Sequence, residues 1–542
     1  MSVLKNKISA AIFLSIILVG IVLRTIGFGD WLIFKADQSS DAIVVEKALK
    51  NGFTSLPLLG PQVGGTPFRL GPITYYFQFI SGKIFGANPE SFAYPDLLWG
   101  ILTLPILFLI FRRFFSINIA LWLLGLASVS IFLVTFSRFS WNPNGLPFFT
   151  ALFLWLFMKL NEKEKNKRWL LIVGLGLVLG IILQLHLAAA LGIILGFILF
   201  ILFYQFLSIK EILFSILIII LVHSPVLVSE WQTRGNNFNE FKKAFVKKGA
   251  VGKNHNILEK FFRAYQENSK VLWLALTGQT KIDLLLTRSL SVKCDLNCKK
   301  ALPVNLISMS LFFLALIIYC KIWRNESDLN RKKELSFIGL WLAGFFLMTV
   351  FLAYQLEVRY YLGAVPVFFL LIGFAAEKFV FKNKAMNFLV LTIGVIIILI
   401  NFKATANYLR DLSLAEKSME KTVYDLRFGS EPKVTLGQLR KISHKASEIL
   451  PKDIPVIING ESQQARSIYY VIAYEAGYKS CFLRGKRDII PDEFSNIYIS
   501  ENNPAKAKDL KENEFYFGTL NATYKKGSYD GINNPLQVNC LK

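Results

Sequence analysis

The chain has 542 residues, 54% of them hydrophobic and 18% charged, with 61 Lys and Arg against 37 Asp and Glu for a net charge of +24. Soluble domains are roughly 45–50% apolar and about 25% charged, so an ordinary water-soluble enzyme, a disordered chain, a coiled coil and a disulfide-stapled mini-protein are excluded. An α-helical polytopic membrane protein remains, and the positive charge reads as basic cytoplasmic loops, since no nucleic-acid motif accompanies it.

About 20 apolar residues cross a bilayer. Eleven stretches qualify in chain order: Ile8–Phe28, Ala93–Phe111, Ile117–Val134, Gly145–Leu160, Trp169–Leu185, Leu187–Leu207, Ile212–Val228, Leu302–Ile322, Leu335–Tyr354, Tyr360–Ala376 and Met386–Phe402. The short basic loops Lys5–Lys7, Arg112–Arg113, Lys159–Arg168, Lys321–Lys333 and Lys378–Lys384 then share one side. The positive-inside rule makes that side the cytoplasm, and a plasma (inner) membrane is expected because no organelle-targeting signal is read in the sequence. The N-terminus is expected there, and segments 29–92, 136–144, 229–301, 355–359 and 403–542 outside.

The first outer loop opens with Ala36-Asp37-Gln38-Ser39-Ser40-Asp41 and a helical pattern that ends at Asn51-Gly52. Asp37 and Asp41 are one turn apart and share a helix face. Two carboxylates at a membrane surface suit a general base with a second group to hold acceptor or metal; acidic residues favoured by a helix N-terminus are the alternative. A Gly- and Pro-rich stretch, Leu58 to Gly65, leads to Phe68-Arg69-Leu70-Gly71-Pro72-Ile73-Thr74-Tyr75-Tyr76-Phe77. Residues 72–85 are apolar and aromatic but too short to span, so an interfacial helix is expected.

Loop 229–301 carries 14 Lys and Arg against 6 Asp and Glu. It is either a solvated face or a surface for anionic headgroups or a phosphate-bearing substrate. The tail, 403–542, alternates strand-length runs (Pro455–Asn459, Asn496–Ser500) with helical ones (Leu436–Leu450, Gln464–Glu475), which predicts a soluble α/β domain after a membrane domain of residues 1–402. Of five cysteines, Cys320 falls in a span; Cys294, Cys298, Cys481 and Cys540 fall outside, where Cys294–Cys298 and Cys481–Cys540 are candidate disulfides.

An Asp just after span one, a juxtamembrane helix, Gly71-Pro72-Ile73-Thr74-Tyr75-Tyr76 and a span ending in Arg112-Arg113-Phe114-Phe115 resemble the polyprenyl-phosphate-sugar-dependent glycosyltransferases of the GT-C fold. The branch is that of protein O-mannosyltransferases and bacterial aminoarabinose transferases. Ser137-Arg138-Phe139-Ser140-Trp141-Asn142-Pro143-Asn144 is similar to the family's second outer loop, and Val358-Arg359-Tyr360-Tyr361 with Pro366 to its late Arg-Tyr pattern. Gln38 stands where the family often has a second acid, and Asp41 is the candidate for the missing carboxylate.

The resemblance implies inverting transfer of a sugar from a polyprenyl phosphate to a protein, lipid or glycan hydroxyl on the outer face. Asp37 would be the base. Arg359, with Arg138 and Arg69, would bind the donor phosphate. His186, Glu357, Tyr75 and Tyr360 are further candidates for contact with substrate or metal, and a divalent metal is the one cofactor left open. A transporter or flippase of lipid-linked glycans is the alternative.

Overall fold

Each of the eleven predicted stretches forms helix, but not all form one long helix. The computed structural model describes residues 7–162, 168–250, 255–278, 296–378, 384–417, 423–424, 432–460, 465–484, 495–501, 514–517 and 520–525. In chain order these begin with α1 (Lys7–Thr25), α2 (Ala36–Asn51), α3 (Ile73–Phe85), α4 (Pro89–Phe114), α5 (Ile117–Val129), α6 (Ile131–Phe136), α7 (Leu146–Asn161), α8 (Arg168–Leu185) and α9 (Leu187–Tyr204). Then come α10 (Ile209–Val222), α11 (Ser224–Gln232), α12 (Asn236–Ala250), α13 (Ile257–Thr277), α14 (Leu296–Asn325), α15 (Leu329–Phe351), α16 (Val365–Lys378) and α17 (Lys384–Lys417).

Among the described residues, eight helices are long and apolar enough to cross a membrane, or nine if α10 and α11, bent by 64°, count as one span. Two of the eleven expected spans fall short of that length. The predicted span Ile117–Val134 breaks at Ser130, leaving α5 with 13 residues. The predicted span Gly145–Leu160 opens as a 3-10 turn over Asn142–Gly145, leaving α7 with 16 residues. At 1.5 Å per residue these helices are about 20 and 24 Å long, short of a hydrocarbon core of about 30 Å. The α10–α11 bend falls at His223-Ser224-Pro225, where Pro225 cannot continue the helical hydrogen bonding.

One end of the bundle collects the basic loops. Arg113 makes a forked pair with the fully buried carboxylate of Glu334, Nε–Oε2 at 2.9 Å and Nη2–Oε1 at 2.8 Å, and reaches Glu162 at 3.0 Å. Arg168 pairs with Glu211, and the Arg331 guanidinium donates to the Phe114 carbonyl. Three of the five loops predicted to share a side, at Arg112–Arg113, Lys159–Arg168 and Lys321–Lys333, are thus in mutual contact. Removing one partner of a buried pair strands the other charge and costs roughly 3–5 kcal/mol. Arg113→Ala should therefore lower the thermal unfolding midpoint sharply, whereas Lys159→Ala, at a half-exposed pair with Glu162, should barely move it.

The tail holds two short strands, β1 (Val423–Tyr424) and β2 (Pro432–Lys433), then α18 (Leu436–Ile449), β3 (Val456–Gly460), α19 (Ala465–Tyr470), β4 (Ser480–Arg484), β5 (Ser495–Glu501), β6 (Glu514–Phe517) and β7 (Leu520–Lys525). The last five strands form one mixed sheet in the order β4-β3-β5-β7-β6, with β3 parallel to β4 and β5 and β7 antiparallel to its neighbours. This sheet does not stand apart. Leu32, Phe34, Val45, Tyr75 and Phe92 share one hydrophobic cluster with Leu436, Ile458, Tyr470 and Ile497. The Leu436 and Gly437 amides donate to the carbonyls of Leu32 and Asp30 at 2.7 and 2.9 Å. Arg440 joins Glu90, Glu475 and Asp30, and Arg466 donates to the Ser40 hydroxyl at 2.6 Å. The tail is clamped onto α2 and the linker before it. Cys481 is buried and disulfide-bonded; Cys294 and Cys540 lie outside the described residues.

Candidate active site

Helix α2 is built to face two ways. Its start is capped by Gln38, whose Oε1 accepts the Lys35 amide at 3.1 Å, while Ser39 and Ser40 bond back to the Ala36 carbonyl. Gln38 is therefore buried and turned away from the cavity described below. Asp37, in the first turn where the helix dipole favours an anion, is exposed and has no hydrogen-bond or ion-pair partner among the described residues. One turn on, Asp41 is buried, and the Tyr75 hydroxyl of α3 donates to its Oδ1 at 3.2 Å. The positive Arg69 guanidinium, which donates to the Gly60 carbonyl at 3.2 Å, lies close to the Tyr75 phenol.

Asp37 opens onto a cavity of about 200 Å³. Its polar side is Asp37, Asn142, His186, Arg359 and Tyr360, backed by Trp141. Arg359 arrives on the 3-10 turn Val358–Ala364 that leads into α16. Its guanidinium lies 5.1 Å from the Trp141 ring centre and 5.6 Å from that of Tyr360, and donates to Glu357 Oε1 at 3.0 Å. Contact with two aromatic rings and the Glu357 carboxylate restrains its orientation. His186 caps α9: its Nδ1 accepts the Ala189 amide at 3.3 Å, so the neutral ring carries its proton on Nε2, and the ring stands edge-on to Tyr360 at 5.0 Å.

The second outer loop is pinned from below. The Trp141 amide donates to buried Asp96 at 3.1 Å and the Asn142 side chain to the Leu185 carbonyl at 2.6 Å. The cavity is roofed by a hairpin, residues 60–71, and by α12. Gly60 and Gly71 are required in that hairpin. A Cβ on Gly60 would lie 2.0 Å from the Gly71 carbonyl oxygen, and one on Gly71 would lie 2.4 Å from the Gln184 side chain. Gln184 ties the layers together, accepting the Ile73 amide at 3.0 Å and donating to the Val222 carbonyl at 2.7 Å. Phe241 and Phe245 of α12 with Met348 and Phe351 of α15 form the apolar wall. This end of the bundle is opposite the basic loops, because α4 and α15 each have one terminus at the Arg113–Glu334 pair and the other beside the cavity.

Of the residues singled out in the sequence, Asp37, His186, Arg359 and Tyr360 converge on the cavity, and Glu357 reaches it through Arg359. Asp41, Tyr75 and Arg69 form a connected group behind Asp37, outside the lining. Arg138 is not brought there. It is buried, and its guanidinium donates to the carbonyls of Leu23, Arg24 and Ile26 at 3.2, 2.8 and 2.7 Å, ending α1. The expectation that it binds the donor phosphate is corrected on that ground: its donors serve orphan helix-end carbonyls. Sequence reading missed the α12 wall, although Phe238, Phe241 and Phe245 already recur at helical spacing there. Among the described residues no three His, Cys, Asp or Glu side chains gather so as to hold a metal ion.

Asp37 and Asp41 differ in burial, the one exposed and the other buried. Burial, with Asp37 one turn away, pushes Asp41 up to about 8, against the partial relief of Tyr75 and Arg69. At neutral pH Asp41 is thus an uncharged acid. In the unfolded chain it would ionise near its ordinary value of 3.8, so between about pH 4 and pH 8 the folded state holds a proton the unfolded state lacks. Stability from this group is full below pH 4 and falls as pH rises toward 8. Asp41→Asn, which mimics the neutral acid, should flatten that slope in unfolding scans across pH, and a variant with the wild-type slope would refute the assignment.

Similarity to known proteins agrees with this geometry. Residues 67–229 match the family model described as dolichyl-phosphate-mannose-protein mannosyltransferase. No curated protein matches the chain. Two solved structures of ArnT from Cupriavidus metallidurans align over nearly the whole length. The one bound to undecaprenyl phosphate has a TM-score of 0.53 and 12% identity, covering 95% of this chain and 97% of that one. The apo one has a TM-score of 0.53 and 10% identity, covering 94% and 97%. The chain therefore has the fold of the GT-C glycosyltransferase ArnT, and residues 67–229 carry the sequence pattern of the dolichyl-phosphate-mannose-protein mannosyltransferases.

Proposed function

We propose that the protein is a membrane glycosyltransferase that moves a sugar from a polyprenyl-phosphate donor to an acceptor hydroxyl, on the outer face of a plasma membrane and with inversion. The observation that carries this reading is the meeting of Asp37, solvent-open and without a hydrogen-bond or ion-pair partner among the described residues, with Arg359, set against the rings of Trp141 and Tyr360, across one cavity at the end of the bundle away from the basic loops. By the positive-inside rule that end faces outward, where lipid-carried rather than nucleotide-carried sugars serve as donors. The ArnT structure with undecaprenyl phosphate supports the donor class by analogy of fold.

The chemistry is short. The acceptor hydroxyl oxygen attacks the anomeric carbon from the face opposite the phosphate. Asp37 takes the hydroxyl proton as the new C–O bond forms, and the bond from carbon to phosphate oxygen breaks. The departing lipid phosphate gathers negative charge, which the Arg359 guanidinium meets with charge-assisted hydrogen bonds. Tyr360 and Trp141 hold that guanidinium, and the wall of α12 and α15 receives apolar parts of the substrates.

The test is sugar transfer by the purified full-length protein from a panel of radiolabelled polyprenyl-phosphate monosaccharides, with wild type beside Asp37→Asn. Transfer by wild type with an inverted linkage supports the reading. Absence of sugar release or transfer with every donor and acceptor tried, from folded protein that moves lipid-linked glycan across vesicle membranes, would replace it with the transporter reading.

A further inference from the structure

On helix α12, Phe241, Ala244 and Phe245 wall the cavity. Phe238, one turn before Phe241, and Val246, next to Phe245, are 53% and 65% exposed, and Lys242, Lys243 and Lys247 stand exposed beside them. A helix over water would turn such an apolar stripe inward. Instead the stripe joins the outer surface of the spans. Helix α12 starts four residues after Gln232, where the bent α10–α11 pair ends. Phe245 stacks on Phe351 of α15 with ring centres 4.9 Å apart, and Phe351 and Leu347 are themselves exposed on that spanning helix. At the start of α13, Phe261 packs on Phe346 of the same helix at 4.9 Å, with Leu258 77% exposed. The exposed apolar side of α15 thus meets aromatic residues of both α12 and α13.

The charge on this stretch of α12 is mostly positive: Lys242, Lys243 and Lys247 stand against Glu240. Lys243 is met by Glu240 at 2.7 Å, an exposed pair one turn apart that contributes little. Lys242 lies 4.5 Å over the ring of its own neighbour Phe238, and Lys247 donates to the Gly65 carbonyl of the roof hairpin at 2.9 Å. Both ammonium groups remain exposed and have no acid partner among the described residues. An amphipathic helix with aromatic residues on one face and lysines on its border settles in the headgroup layer and prefers anionic lipid.

We propose that α12 lies in the headgroup layer and binds anionic phospholipid through Lys242, Lys243 and Lys247, beside the roof of the cavity. The partner is the bulk anionic phospholipid of the bilayer, not the donor, and the inference stands whether or not the protein transfers sugar. Because Lys247 also holds the hairpin and Phe245 also walls the cavity, the lipid would press the roof into place from outside.

The test uses the delipidated full-length protein titrated with phosphatidylglycerol or phosphatidylcholine, counting retained lipids by native mass spectrometry. Wild type should retain phosphatidylglycerol at least tenfold more tightly. Each lysine near an anionic surface is worth roughly a fivefold change in affinity, so the triple variant Lys242→Gln, Lys243→Gln, Lys247→Gln should lose most of the preference. The double variant Lys452→Gln, Lys479→Gln, which removes two exposed tail lysines, should keep it. Equal retention of the two lipids by wild type would overturn the proposal, as would an undiminished preference in the triple variant or an equal loss in the tail variant. Displacement of bound phosphatidylglycerol by one equivalent of undecaprenyl phosphate would assign the lysines to the donor and overturn it as well.

Discussion

Asp37→Asn should lower turnover by a factor of roughly 10²–10⁴, the usual worth of a positioned general base, while leaving folding and donor binding almost intact. The substitution is nearly isosteric and falls on an exposed side chain without a partner among the described residues, so no packing or hydrogen bond is lost with the charge. The clean readout is donor binding measured separately from transfer: binding retained and transfer lost assigns the proton to Asp37. The neighbouring acid provides the contrast. Asp41 is buried, uncharged at neutral pH and bonded to Tyr75, so Asp41→Asn should cost far less activity at pH 7. If the two variants lost activity equally, the base would not be Asp37 alone.

Arg359→Ala should raise the donor KM by roughly ten- to a hundredfold, since a hydrogen bond to a charged group is worth about 1.5–3 kcal/mol and 1.4 kcal/mol is a factor of ten. Part of this should appear in kcat, because the lipid phosphate carries more charge as it leaves than when it arrives. Arg359→Lys keeps the charge but loses the planar fork and its contact with Trp141 and Tyr360, so it should rescue only part of the loss. Arg138→Lys serves as the comparison. Its effect should be on stability, because its donors go to the carbonyls that end α1. A rise in donor KM for Arg138→Lys with unchanged stability would return that residue to the phosphate site.

Much of this was legible because membrane chemistry leaves strong marks. The spans were found by apolar length, and three of the basic loops that signalled a common side touch one another through Arg113, Glu162 and Glu334. Helix α2 was readable from its start at Ala36 to its stop at Gly52, and α3 from an apolar run too short to span. Hydropathy could not see that Ser130 and the Asn142–Gly145 turn interrupt two apolar stretches, because a broken helix buried in protein satisfies its backbone from neighbours and needs no polar sequence.

The division of labour among charged residues is the clearest case of what one dimension hides. In sequence, Arg138 and Arg359 look alike, each beside aromatic residues next to a span. In space, one guanidinium is consumed by helix-end carbonyls and the other faces a cavity. Asp37 and Asp41 look like a pair on one helix face, yet burial under Tyr75 neutralises one and leaves the other open. The tail read as a domain of its own because its strand and helix signals are local. Its docking on Leu32, Phe34 and Ser40 depends on contacts between residues some 400 positions apart. The sequence by itself determined the class, the helices and the list of ionisable candidates, since apolar length, caps and charge act over a few residues. Only the tertiary structure decided which candidates share a cavity and which are spent on structure, because burial and partner identity are properties of neighbours that the chain brings together only by folding.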